Sequence, residues 1–194
     1  ECHEQRSNNW STVCGASRMA LYTYLGDTAG LARSWDVYRG YVGDRSTGAY
    51  IGFNSNSTNW RCPNPDNKSW VNPDACTIDG HDFGGILPEE MRRGGEYTGT
   101  WPPPNSTSYP WGGMQGIIVQ AEILYRNGYP NAYQVANQAV KRIHNWLFNV
   151  AGWTVDSDDQ WQPWITNKRY GTNFPAPAPA NPGKNMGWTD WTHQ

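Results

Sequence analysis

Asn8, Asn9, His3, His81, Arg92, Arg93 and Tyr109, with tryptophans around them, are the residues here whose types suit chemistry on an acidic ligand. No nucleophile stands out. There is no HExxH, no G-x-S-x-G, no P-loop and no CxxC, so the usual signatures of zinc peptidases, serine hydrolases, nucleotide binding and dithiol redox chemistry are missing. The set suits removal of a proton next to a carboxylate. Such a proton is weakly acidic, because the carbanion adds charge to an existing anion. A catalyst must neutralise the carboxylate with hydrogen bonds or positive charge and hold a base near the proton. Asparagine, arginine and protonated histidine do the first. A tyrosine does the second where a neighbouring cation favours its phenolate, and the phenol then returns a proton to the leaving oxygen. The implied reaction is a β-elimination that needs no metal and no cofactor. Asp79, His81 and Asp82 in "DGHDFGG" form a weak metal signal from a single loop.

These residues need elements to position them. Apolar spacing predicts a helix over 9–25, with Trp10, Val13, Cys14, Ser17, Leu21 and Tyr24 on one face, ended by Gly26. A second helix is predicted over 29–43, a third over 113–126 and a fourth over 131–150. Residues 88–93, "PEEMRR", suit a first helical turn, with proline first and acids next. The two longer helix pairs resemble one another, with Gly26 and Gly128 at corresponding turns, as in stacked helical hairpins. Residues 44–86 lack a helical period, with short strands expected at "AYIGF". The tail from 152 reads as irregular, and "PAPAPANPG" as an extended strap that leads its aromatic end back onto the helices. The expected fold is mostly α: helical hairpins of an incomplete or compact α/α toroid with long irregular, disulfide-stapled loops. Residues 1–194 are read as one catalytic domain or part of a longer toroid.

"SNNW" on an opening helix, then "GILPEEMRR", then a tyrosine before a long apolar helix resembles the alginate lyase superfamily of α/α-toroid polysaccharide lyases. The likeness spans roughly residues 6–45 and 84–150. It implies cleavage of a uronic-acid-containing glycan of alginate or glucuronan type. Asn8 and Asn9 match the family's asparagine pair, Arg93 its arginine and Tyr109 its base and acid. Trp10 stands where the family has a histidine, a role open to His81 or His3. Tyr97 competes with Tyr109 for the base. The expected catalytic set is Asn9, His81, Arg93 and Tyr109. Asn8, Trp10, Arg92, Trp111 and His3 are expected at the substrate, with Trp10, Trp101 and Trp111 as stacking platforms.

The composition agrees with a sugar ligand. Twelve Trp and 11 Tyr against four Phe supply flat faces with polar edges. Charged residues reach only 16%, with a net charge of −2, so no broad basic face for nucleic acid is implied. No apolar run approaches the roughly 20 residues of a membrane helix. Scarce lysine and an even four cysteines suit a secreted, monomeric protein. Cys62 is expected to pair with Cys76 and, by elimination, Cys2 with Cys14. Sequons occur at Asn9, Asn56, Asn67 and Asn105, with no glycan expected on Asn9. Two other classes remain open. One is a glycoside hydrolase using two carboxylates among Glu89, Glu90, Asp79, Asp82 and Glu122. The other is a non-catalytic carbohydrate-binding or structural protein.

Overall fold

The structure is a computed structural model, and it describes residues 2–44, 46, 47, 57–63, 69–155 and 157–194. The strands expected at "AYIGF", and the sequons at Asn56 and Asn67, lie outside the described residues. The fold is mostly helical. In chain order the helices are α1 (Cys2–Gln5), α2 (Asn9–Leu25), α3 (Thr28–Val42), α4 (Pro88–Met91), α5 (Tyr109–Arg126), α6 (Val135–Asn145), α7 (Gln162–Tyr170) and α8 (Thr189–Thr192). A two-stranded antiparallel hairpin, β1 (Thr77–Ile78) and β2 (His81–Asp82), pairs Ile78 with His81.

Most predicted helices appear close to their expected bounds. α2 stops where Gly26 takes a left-handed φ of 68° and its N–H turns back to the carbonyl oxygens of Thr23 and Tyr22. Asp27 then caps α3 by accepting from the Gly30 N–H at 2.8 Å. α5 begins four residues earlier than expected, because Pro110 fits the first helical turn, where no backbone donor is needed. The fourth helix is split. Ala136–Gln138 hold positive φ near its start, and Trp146–Val150 close it as a π-turn. The tail is not uniformly irregular: α7 and α8 lie in it, and α7 packs on α5 and α6.

Cys62 and Cys76 are joined by a disulfide. Cys2 and Cys14 are not; both are free thiols, which corrects the second expected pair. The core is shared by Met19, Tyr38, Phe83, Met114, Ile117, Trp146 and Trp161.

The central contact is α2 against α5. Thr12 Oγ1 donates to the Gly113 carbonyl at 2.8 Å, and Gln120 Nε2 donates to the Thr12 carbonyl at 2.8 Å. Thr12 meets Gly113 and Gly116 while Gly15 meets Gln120, so the two helices run in the same sense and start at one end. A Cβ on Gly116 would overlap the backbone of Thr12 and Val13. Gly116→Ala should therefore destabilise the chain by about 1–3 kcal/mol through overpacking. Gly112, on the same helix, has open space where its Cβ would lie. Gly112→Ala should gain up to about 1 kcal/mol of helix propensity. Chemical denaturation of the two variants checks the opposite signs.

Candidate functional site

The common start of α2 and α5 gathers the candidate residues. Asn9 opens α2, Tyr109 opens α5, and α4 with its 3₁₀ extension (Arg92–Gly94) carries Glu90 and Arg93 between them. The Asn9 N–H donates to Glu90 Oε1. The Glu90 side chain lies on Gly113, where a Cβ would sit 3.2 Å from its Cγ. The Arg93 guanidinium covers the Tyr109 ring, 4.1 Å from its centroid. The Asn9 backbone and Arg93, 84 positions apart in sequence, thus both act on the Glu90 carboxyl, and Tyr109 joins them through Arg93.

Their side chains make no hydrogen bond or ion pair among the described residues. Neither Asn8 nor Asn9 caps the helix with its side chain, and both Oδ1 atoms are buried without a hydrogen bond among the described residues. Tyr109 is 36% exposed. Arg93 is exposed and makes no salt bridge among the described residues, whereas Arg92 is bound by Glu89 at 2.7 Å. Of the two adjacent arginines, Arg92 is tied into the scaffold and Arg93 is not. The positive ends of α2 and α5 add to an environment that favours an anion.

Glu90 is fully buried. Burial raises its carboxyl to about 7, against the opposing pull of the Asn9 N–H and Arg93. A carboxyl whose folded value lies above its free value holds its proton more tightly when folded. Its contribution is most favourable below about pH 4.5, is lost as pH rises through about 7, and changes little beyond. Glu90→Gln keeps an acceptor for Asn9 and removes the titration. It should match the parent chain near pH 4 and exceed its stability by up to about 3 kcal/mol near pH 8. Denaturant midpoints at the two pH values check this.

No family model matches the chain, and no curated protein or solved structure matches it.

Other expected residues lie elsewhere. His81 stacks flat on Trp101, with centroids 4.5 Å apart and planes 6° apart, in the aromatic cluster with Phe83 and Tyr97. No contact links it to Asn9, Arg93 or Tyr109 among the described residues. His3 is buried beneath α2, bonded to Gln120 at 3.1 Å, and burial lowers its imidazole to about 4. A neutral, enclosed ring cannot hold a sugar carboxylate, so its expected substrate role is corrected. Trp111 is 2% exposed and packs on His144 and Phe148; it is core, not a platform. Tyr97 is 8% exposed, its hydroxyl enclosed without a partner among the described residues, which leaves Tyr109 as the accessible phenol of the two.

Trp10 is 67% exposed beside Asn9. The two line an open groove of about 420 Å³ with Cys2, Val13, Cys14 and Lys184. Glu90 as the hub of the cluster, and Lys184 on the groove, were not singled out by their spacing. Glu89 and Glu90 each have an arginine three residues on, so position alone does not say which acid turns inward. Lys184 is distant in sequence from the asparagine, arginine and tyrosine segments.

Proposed function

We propose that this chain is a polysaccharide lyase that cleaves a uronic-acid-containing glycan by β-elimination, acting outside the cell. The observation that carries this is the grouping, at the start of α2 and α5, of an asparagine and an arginine whose side chains make no hydrogen bond or ion pair among the described residues, with an accessible phenol under the arginine. The sugar carboxylate would bind the Asn9 amide and Arg93, with Asn8 beside them. Tyr109 would take the C5 proton. The electron pair left on C5 is delocalised into the neutralised carboxylate. It then forms the C4–C5 double bond as the C4–oxygen bond breaks, and the leaving oxygen takes a proton from the phenol. With His81 stacked on Trp101, neutralisation in this reading falls to Asn9 and Arg93. Paired helices α2–α3 and α5–α6 are compatible with a compact segment of an α/α toroid.

Hydrolysis by two carboxylates fits less well. Glu89, Glu90 and Glu122 are all buried, and Glu89 and Glu122 are held by arginines. Asp79 and Asp82 are exposed but sit at the β1–β2 hairpin with His81.

The test is incubation with alginate, glucuronan and neutral glycans, following the ultraviolet band of an unsaturated uronate. Growth of that band on an acidic glycan supports the reading. New reducing ends without the band would replace it with hydrolysis. Binding without either would make the chain a carbohydrate-binding protein.

A further inference from the structure

We infer that Trp10 and Lys184 form a second sugar subsite, which takes the uronate next to the one held at Asn9. The identity of the ligand rests on the lyase reading; the subsite rests on the groove itself. Asn9 belongs to the elimination cluster and also lines the groove, so the groove adjoins the cluster at that residue. Its lining includes the apolar Val13 and the thiols of Cys2 and Cys14. It also includes Trp10, which is 67% exposed. The Trp10 backbone is braced by the Cys2 thiol, which donates to the Trp10 carbonyl at 3.7 Å. Lys184, a cation, lines the same groove.

Lys184 is held by its backbone rather than its head. Its N–H donates at 2.9 Å to Oε1 of Gln115, a fully buried residue on α5. Gln115 is fixed in turn by donating to Asp159 Oδ1 at 2.5 Å. The strap after the proline-rich run is therefore anchored at this position. Among the described residues the ammonium group pairs with Asp158, at 2.7 Å, and its side chain is about half exposed. Pairs of this kind are weak, and an incoming carboxylate can take the place of Asp158 at little cost. A flat apolar face and a cation lining one groove match a uronate, which presents a C–H face and a carboxylate. A neutral sugar would use the indole and leave the cation unmatched.

The experiment is calorimetric titration in the Tyr109→Phe background, so that ligand is not consumed. The probes are an alginate or glucuronan tetramer, the uronate monomer and a neutral glucose tetramer, at low and high salt. Lys184→Ala should weaken the acidic tetramer about tenfold at low salt and flatten its salt dependence, as expected for loss of one charge-assisted contact. Lys184→Glu should weaken it further. Trp10→Ala should weaken the acidic tetramer too, with the monomer unchanged in all three. Both altered residues are exposed, and unchanged thermal unfolding verifies the fold. Parent-like tetramer binding in Lys184→Ala and Trp10→Ala would overturn the subsite, as would an equal loss for the monomer. The two ideas fail separately. Glycan turnover without any effect of Lys184 removes the subsite alone. Lysine-dependent binding by a chain that never forms the unsaturated product removes the lyase reading alone.

Discussion

Tyr109→Phe should lower formation of the unsaturated product by about 10²–10⁴-fold, the range for removal of a general acid–base group. The substitution deletes one oxygen and leaves the ring. Arg93 can still lie on the ring face, 4.1 Å from the centroid in the parent chain, and α5 keeps its first residue. Binding of an acidic oligosaccharide should therefore change little, and the loss should fall on kcat rather than KM. Arg93→Ala should behave differently. It removes the cation that meets the carboxylate in both ground state and transition state, so KM should rise as kcat falls. Full activity in Tyr109→Phe would end the assignment of this phenol. Enclosed Tyr97 would not be a ready replacement, because its hydroxyl sits inside the Trp60, Phe83 and Trp101 cluster.

Glu122→Ala should cost about 3–5 kcal/mol of stability, the range for breaking a buried ion pair from one side. Glu122 stands buried near the end of α5 and gathers four partners. Arg126 donates at 2.6 Å, Arg169 at 2.5 and 2.9 Å, and the Tyr133 hydroxyl at 2.7 Å, with His193 Nε2 at 3.4 Å. Removing the carboxylate leaves the half-buried Arg169 guanidinium and the Tyr133 hydroxyl unsatisfied, which costs more than the hydrogen bonds themselves. Arg169 also lies over the rings of Tyr125 and Tyr133, so its displacement would loosen α7 from α5. Burial alone would raise the Glu122 carboxyl; hydrogen bonds from His193, Arg169, Tyr133 and Arg126 outweigh it and hold the carboxyl well below its ordinary range. Stability from such a group is present above the ordinary carboxylate value and is lost as pH falls through the folded one. The deficit of Glu122→Ala should thus be full at pH 6 and narrow under strong acid. Denaturant titrations at several pH values measure it.

Local chemistry made much of the helical frame readable. α3 has an apolar period and an aspartate cap, and α2 has a glycine stop, but the face of α2 read as apolar is the wrong one: Trp10, Leu21 and Tyr24 are exposed, while the small residues Ser11, Thr12, Gly15 and Ala16, with Met19, are buried because α5 packs closely there. α7 was missed because "QPWITNKRY" offers few apolar positions from which to read a period; its burial comes from tertiary packing of Ile165 and Thr166. At the site, Asn9, Arg93 and Tyr109 were legible as types in order along the chain, and their meeting depends on α2 and α5 starting together. Distance in sequence misled for His81. It lies near the arginine segment, but the Trp101 ring provides a flat apolar partner and draws it into another cluster. Trp10 and Trp111 look alike as residues at helix starts. Only the packing of α5 on the later helices buries one and leaves the other in solvent.

The helix that opens at Asn9 forgoes an ordinary source of rigidity. Asn8 has the extended backbone of a capping residue, yet its side chain makes no cap bond; a cap is commonly worth about 0.5–2 kcal/mol. On the lyase reading, heat tolerance and turnover compete for the Asn8 amide. Serine or aspartate at position 8, turned back onto the helix, would harden the fold while taking a hand away from the ligand.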